Sequence, residues 1–302
     1  MIHGVIDIGS NTIRLSVFKI EGEKVMNLFN EKATAGLAGY REEGRLSEEG
    51  IEVLLDTLED FSSLMGNFDE IKEIHAIATA SIRNVSNSQE IIDRVKKKLG
   101  LKISLLSGEE EAYLAYLGAR ESIEEDGPGV LADIGGGSTE VVLFHKGKVF
   151  DSASLDMGSL SVYKEFVEDL FITTEERKAM DAKLKESLSR QDFVREGFTH
   201  LCAVGGSARA TLKLYNAFYK EDRKNQIMDV DDLKQLMQSV LELEDKEKMN
   251  QILKIKADRI HTLLPGLCIL YRVAKFFHVD QVSVSQTGIR EGYIYKNILR
   301  RG

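Results

Sequence analysis

The chain has 302 residues, 43% of them hydrophobic and 29% charged, with a net charge of −9. That length supports two domains rather than one. The acidic balance excludes a global positive field that could hold nucleic acid or an anionic membrane, so a polyanionic ligand would need a local site.

Within a few residues the N-terminus reaches Val5-Ile6-Asp7-Ile8-Gly9, with no basic segment followed by an apolar one, and nowhere do eighteen apolar residues run together. The expectation is a cytoplasmic protein with no signal peptide and no membrane span. The two cysteines, Cys202 and Cys268, lie in separate apolar stretches and are expected to be buried free thiols. Their number excludes a cysteine metal site.

The chain repeats itself. Ile6-Asp7-Ile8-Gly9-Ser10-Asn11-Thr12-Ile13-Arg14 is echoed by Ala132-Asp133-Ile134-Gly135-Gly136-Gly137-Ser138-Thr139-Glu140. In both copies Asp-Ile-Gly ends a β-branched run and a second run follows at once, which predicts strand, tight glycine turn, strand. Further glycine turns at Gly22 and Gly147, followed by Val25 and Val149, extend each copy into a meander, and two meanders predict two similar lobes.

Between the copies, Ile51, Leu54, Leu55, Leu58 and Phe61 recur at helical spacing, and Ile74 to Thr79 forms a buried strand pattern. Ile91 to Leu99 is predicted as a helix stopped by Gly100, and 102–106 as a short strand. Ser107-Gly108-Glu109-Glu110 is a capping box that opens another helix. Glu124 to Gly129 combines charge, glycine and one of only two prolines, so the lobe boundary is placed there. Beyond it the patterns predict helices over 174–191 and 229–253. Between them lies a strand at 201–204, ending in a Gly205-Gly206-Ser207 turn. A last strand ends in Ser285-Gln286-Thr287-Gly288 before a helix over 290–300. His3, His75 and His145, beside or within strands, are expected to be packing residues.

An Asp-Ile-Gly-x-x-[Ser/Thr] turn lets the backbone approach an anion, its successive N–H groups form a cradle, and its hydroxyl donates. A phosphate suits that geometry. A single copy is more simply a hairpin, but two copies with Asp at the same point favour two facing phosphate loops. Both later glycine-hydroxyl turns also end strands, where ligands bind in α/β folds.

The ordered set resembles the Ppx/GppA phosphatase family. It comprises Asp7-Ile8-Gly9-Ser10-Asn11-Thr12, Ala78-Thr79-Ala80-Ser81-Ile82-Arg83, Ser107-Gly108-Glu109-Glu110-Glu111-Ala112 and Asp133-Ile134-Gly135-Gly136-Gly137-Ser138-Thr139-Glu140. Val204-Gly205-Gly206, Asp258-Arg259, Leu264-Pro265-Gly266 and Gly288-Ile289-Arg290-Glu291-Gly292 complete it. The resemblance spans nearly the whole chain. It implies an α/β, two-domain actin-like ATPase fold with an inter-lobe cleft: 1–123 plus 289–302 as one lobe and 124–288 as the other. It also implies release of terminal phosphate with Mg2+ as cofactor.

Carried over by position, the catalytic carboxylate falls on Glu111 and the essential arginine on Arg83. The phosphate contacts fall on Asp7, Gly9, Ser10, Asn11, Thr12 and Arg14, and on Gly135, Gly136, Gly137, Ser138 and Thr139. Gly205, Gly206, Ser207, Arg259, Gly288 and Arg290 complete that set. Asp133 and Glu140 are the expected metal-associated acids, since magnesium takes one or two carboxylates plus waters and substrate oxygens. Structurally, Glu111 could instead be a solvated helix-start residue, and Arg83 an ion-pair partner of a neighbouring acid.

Two departures from the family pattern stand out. Ser161 occupies a position where many relatives have Arg, which puts one basic phosphate contact in doubt, and no His-Asp dipeptide is present. The expectation is a short, two-domain exopolyphosphatase acting on inorganic polyphosphate, as a homodimer. The alternatives are guanosine pentaphosphate (pppGpp) phosphohydrolase, and a non-catalytic nucleotide- or alarmone-binding module of the same fold. Glu111 together with both loops argues against the last.

Overall fold

A computed structural model describes residues 1–68, 70–123 and 127–300. They divide into two compact units, Met1–Glu111 with the chain from Tyr293 onward, and Ala112–Gly292.

The first unit opens with the meander β1 (Ile2–Ile8), β2 (Ile13–Glu21) and β3 (Lys24–Ala33), followed by a small hairpin of β4 (Arg41–Glu42) and β5 (Arg45–Leu46). Helix α1 (Glu48–Gly66) leads to β6 (Ile71–Ala78), α2 (Ala80–Arg83) and α3 (Ser88–Leu99). Strand β7 (Ile103–Leu105) and α4 (Gly108–Ala119) follow. The main sheet has the order β3-β2-β1-β6-β7, the meander antiparallel and β1, β6 and β7 parallel. Ser47 caps α1 by accepting from the Gly50 amide. Ile51, Leu54, Leu58 and Phe61 of α1 bury against Ile6, Ile8, Leu15 and Val17. Gly100, at φ 66, ends α3 in the left-handed conformation that glycine adopts without a Cβ penalty.

In the second unit β8 (Gly129–Ile134), β9 (Thr139–His145) and β10 (Lys148–Leu155) form the matching meander. Helices α5 (Ser159–Phe166) and α6 (Thr174–Ser189), strand β11 (His200–Val204) and α7 (Gly205–Tyr219) follow. Then come β12 (Ile227–Asp229), α8 (Val230–Glu242), α9 (Asp245–Lys256), α10 (Leu263–Phe276), β13 (Gln281–Val284) and α11 (Ile289–Tyr293). The sheet order is β10-β9-β8-β11-β13-β12, with β8, β11 and β13 parallel. Alternate residues of its central strands enter different cores, Val130, Ala132 and Ile134 on one face and Leu131 on the other, so both faces are covered. The first five strands of this sheet repeat the order of the first sheet, and the fold is the two-domain actin-like one.

The units separate at Glu111/Ala112, inside α4, whereas the sequence pattern placed the break at 123/124. The cause is packing. Ala112, Ala115, Tyr116 and Leu117 bury against Leu131, Val142, Phe144 and Cys202 of the second sheet. Helix α4 also crosses α11 closely: a Cβ on Gly118 would stand 1.8 Å from the Gly288 carbonyl oxygen, and one on Gly292 would stand 1.8 Å from that of Leu114. Glu124, Glu125 and Asp126, the centre of the expected linker, lie outside the described residues.

Other expectations are corrected in detail. The single helix over 229–253 is two, α8 and α9, broken where Leu243 is extended at ψ 154. Gly205-Gly206-Ser207 is the first turn of α7 rather than a loop. The helix over 290–300 is the short α11 followed by a π-helical turn, Ile294–Ile298. Both cysteines are free and buried. Among the described residues no helix is long and apolar enough to cross a membrane.

Candidate active site

In the first unit the loop joining β1 to β2 is closed by the Gly9 N–H donating to the Thr12 carbonyl at 3.1 Å. The carbonyls of Asn11 and Ser10 accept the N–H groups of Gly36 and Ala38, at 3.0 and 2.9 Å. All three carbonyls of Ser10, Asn11 and Thr12 are thereby used. Among the described residues no backbone acceptor takes the amides of those same residues. A loop with its acceptors spent and its donors left over presents a concave positive surface, the electrostatic complement of an anion.

The second unit builds the same device. Gly135 N–H closes the β8–β9 loop on Ser138 O at 3.0 Å. Every carbonyl from Gly135 to Ser138 is then occupied: Gly135 O by Ser159 N–H, and Gly136 O by Leu160 and Ser161 N–H, each at 2.9 Å. Gly137 O accepts from Ser161 Oγ at 3.3 Å. The first N–H groups of α5, which no helix can satisfy internally, therefore find their acceptors in the loop. Among the described residues the amides of Gly136, Gly137 and Ser138 again have no backbone acceptor.

This mutual capping explains Gly158 and Ser161. A Cβ on Gly158 would lie 2.5 Å from both the C and O of Gly136, so only glycine lets α5 approach the loop. Ser161 Oγ accepts from Gly158 N–H at 2.8 Å while donating to the loop. The Ser161 hydroxyl is thus spent on holding the cradle. Sequence reasoning missed α5; the signal was Met157-Gly158-Ser159 directly after the meander.

Beneath the second loop runs a buried hydroxyl chain. Arg259 Nη1 donates to Ser207 Oγ at 3.3 Å, Ser207 Oγ to Ser159 Oγ at 3.1 Å, and Ser159 Oγ to Gly135 O at 3.0 Å. Ser207 and Arg259 are 0% and 6% exposed, so they brace the loop from below. Gly205, at φ 92, starts α7 beside Asp133: a Cβ there would stand 2.5 Å from Asp133 Oδ1. Gly136 is not among the positive-φ glycines. The Gly288 amide is committed to Glu291 Oε2 at 2.9 Å, and Gly288 serves the α4–α11 crossing. Arg290 lies half-buried on α11.

Glu111 sits in the first turn of α4, where Ser107 and Glu110 bond reciprocally: Glu110 N–H to Ser107 Oγ at 3.1 Å and Ser107 N–H to Glu110 Oε2 at 2.9 Å. Far from being solvated, Glu111 is 7% exposed. Arg83 Nη1, at the end of α2, donates to Glu111 Oε2 at 2.8 Å and to Leu106 O at 3.0 Å. The structural alternative for Arg83 and its functional reading therefore meet in one contact, because its acidic partner is the expected base. Ser81 Oγ donates to Ile8 O at 2.7 Å and fixes this strand end beside the first loop.

The repeat differs at one charge. Asp7 is paired across the ladder with Arg14, whereas Asp133, seven residues before its own partner, is paired with Glu140. Like charges at directly opposed positions repel, so the second site gains most from a cation. Asp133 is half-buried at the strand end, and Glu140, 1% exposed, accepts from Ser154 Oγ at 2.7 Å. Two carboxylates are an oxygen donor set of the kind magnesium takes, with Asp133 the more accessible and Glu140 buried behind it.

The Ppx/GppA phosphatase family profile matches residues 16–301. A guanosine-5'-triphosphate,3'-diphosphate pyrophosphatase of Photobacterium profundum is 25% identical over 98% of this chain and 59% of its own length. This chain thus spans about three-fifths of that relative. The crystal structure of the Aquifex aeolicus Ppx/GppA family member aligns with a TM-score of 0.82 at 27% identity, covering 99% of this chain and 98% of that one. An exopolyphosphatase structure from Cytophaga hutchinsonii aligns with a TM-score of 0.88 at 23% identity, covering 100% and 99%.

Proposed function

Because this chain belongs to the Ppx/GppA phosphatase family, we propose that it is a phosphohydrolase releasing terminal orthophosphate from a phosphoric anhydride, with short inorganic polyphosphate as substrate. Two loops with spent carbonyls and unspent amides support this more than any other feature, since such a cradle is built for a phosphate oxygen. The second unit's loop holds non-bridging oxygens through the amides of Gly136, Gly137 and Ser138. Its Asp133 and Glu140 would hold magnesium, which when bound offsets charge on the phosphoryl oxygens. In the first unit, Glu111 accepts a proton from the attacking water, and Arg83 keeps the carboxylate oriented through their 2.8 Å contact. Phosphoryl transfer asks little covalent chemistry of a protein, so positioning and charge stabilisation carry most of the rate.

The net charge of −9 favours short chains, because a long polyanion needs an extended positive track. Guanosine pentaphosphate is the second reading, supported by the name of the Photobacterium relative. Orthophosphate release with Mg2+ from tripolyphosphate, long polyphosphate, guanosine pentaphosphate and ATP separates them. The highest kcat/KM is expected for tripolyphosphate. Guanosine pentaphosphate as best substrate would establish the second reading, and no release from any would refute both.

A further inference from the structure

At the opposite end of β1 from the phosphate loop, a second group of chemically competent side chains converges. His3 lies on β1, and Glu73 and His75 on β6. The β1–β6 register shifts between Ile2 and His3, so Ile2 faces Ile71 while His3 faces Glu73. The residue skipped at this irregularity brings the carboxylate, two positions from His75, directly beside the first imidazole. One ligand atom from each of His3, Glu73 and His75 lies within 4.8 Å of the others.

His3 Nδ1 and His75 Nε2 are 3.2 Å apart. Two imidazole nitrogens on a tetrahedral zinc ion, each at ~2.0–2.1 Å, stand about 3.3 Å from each other. Glu73 Oε2 is 3.7 Å from the same His75 Nε2, and its side chain, 62% exposed, has freedom to close the remaining few tenths. Tyr293 Oη lies 3.5 Å from His75 Nδ1. A hydrogen bond at the second ring nitrogen is the support that metal-bound imidazoles characteristically have, and in the tautomer with Nδ1 protonated the Nε2 lone pair faces His3 and Glu73. Two imidazole nitrogens 3.2 Å apart with a carboxylate oxygen beside them make a donor set that a cation can occupy in place of a shared proton.

We propose that His3, Glu73 and His75 form a binding site for a transition-metal dication of the zinc class. The two-nitrogen, one-oxygen donor set selects such an ion over magnesium, which takes oxygen ligands. The site stands six residues along β1 from Gly9, about 20 Å at strand rise, and serves to clamp β1 to β6 rather than to do chemistry.

The test is a Co2+ titration of the full chain after chelator treatment, followed by Zn2+ displacement. A visible band of tetrahedral cobalt should saturate at one equivalent and vanish on adding Zn2+, which should also raise the melting temperature. Glu73→Gln, at an exposed side chain that folding does not need, should weaken cobalt binding about tenfold or more, and His75→Gln should abolish it. Orthophosphate release with Mg2+ should be unchanged in Glu73→Gln. An absent band in the wild type, or cobalt affinity unaltered by Glu73→Gln, overturns the proposal, and the shared hydrogen atom of a His–His contact is then the whole of the interaction.

Discussion

Glu111 and Arg83 show what one contact can decide. The family resemblance marked both, but sequence could not show that they touch, because 28 positions separate them and only the return of β7 beside β6 brings them together. Glu111→Gln keeps the shape and an acceptor for Arg83 but removes the proton-accepting carboxylate. We expect kcat to fall by roughly 10²–10⁴-fold, the usual worth of general-base assistance. Stability should fall by about 1–3 kcal/mol through the weakened charge-assisted hydrogen bond. If the pair were structural only, melting temperature would drop while kcat, measured well below it, stayed within about twofold of wild type. The Ser161 position carries a related lesson. The serine itself was visible in the sequence, but its hydroxyl's commitment to Gly158 and Gly137 depends on a helix that the pattern did not reveal.

Among the elements, the legible ones were those with a clean period or a strong punctuation mark. Helix α1 showed its apolar stripe, α3 its closing glycine and α4 its capping box, and both meanders announced themselves by repetition. Helix α7 was missed because glycines at 205 and 206 look like a turn, when their office is to start a helix against Asp133. Helix α10 was missed for another reason: every residue from Leu263 to Leu270 is buried, so its first two turns show no polar face, and only Arg272 and Lys275 near its end are charged. The contact between α5 and the Gly135 loop gives a prediction at this scale. Gly158→Ala places a methyl 2.5 Å from Gly136 backbone atoms, which cannot rotate away. The helix must back off and the cradle loses its shape. We expect kcat/KM to fall about 10²-fold, the cost of a misplacement near 1 Å, with a stability loss of about 1–3 kcal/mol. Steady-state kinetics with a melting curve checks both, and kcat/KM within about twofold of wild type would show that the amides do not hold substrate.

For the whole molecule, composition anticipated the class and the two thiols, but the boundary between units depended on side-chain packing that linker chemistry does not report. Burial pushes the Cys202 thiol up to about 11 and that of Cys268 up to about 12. Each folded-state value lies above the ordinary 9.0, so both remain neutral thiols in the native protein, and the associated stability is complete below pH 9.0 and is lost as pH rises through about 11 to 12. Ellman's reagent at pH 8 should label neither cysteine in the native chain and both in denaturant, whereas rapid native labelling would contradict the buried cores. In the proposed reaction, water attacks the terminal phosphorus of an anhydride chain. Early-time hydrolysis of tripolyphosphate in 18O-enriched water, with mass analysis of the products, tests this most directly. The label is predicted in the released orthophosphate and not in the pyrophosphate left behind; label in the pyrophosphate, or no hydrolysis with Mg2+ present, would contradict it.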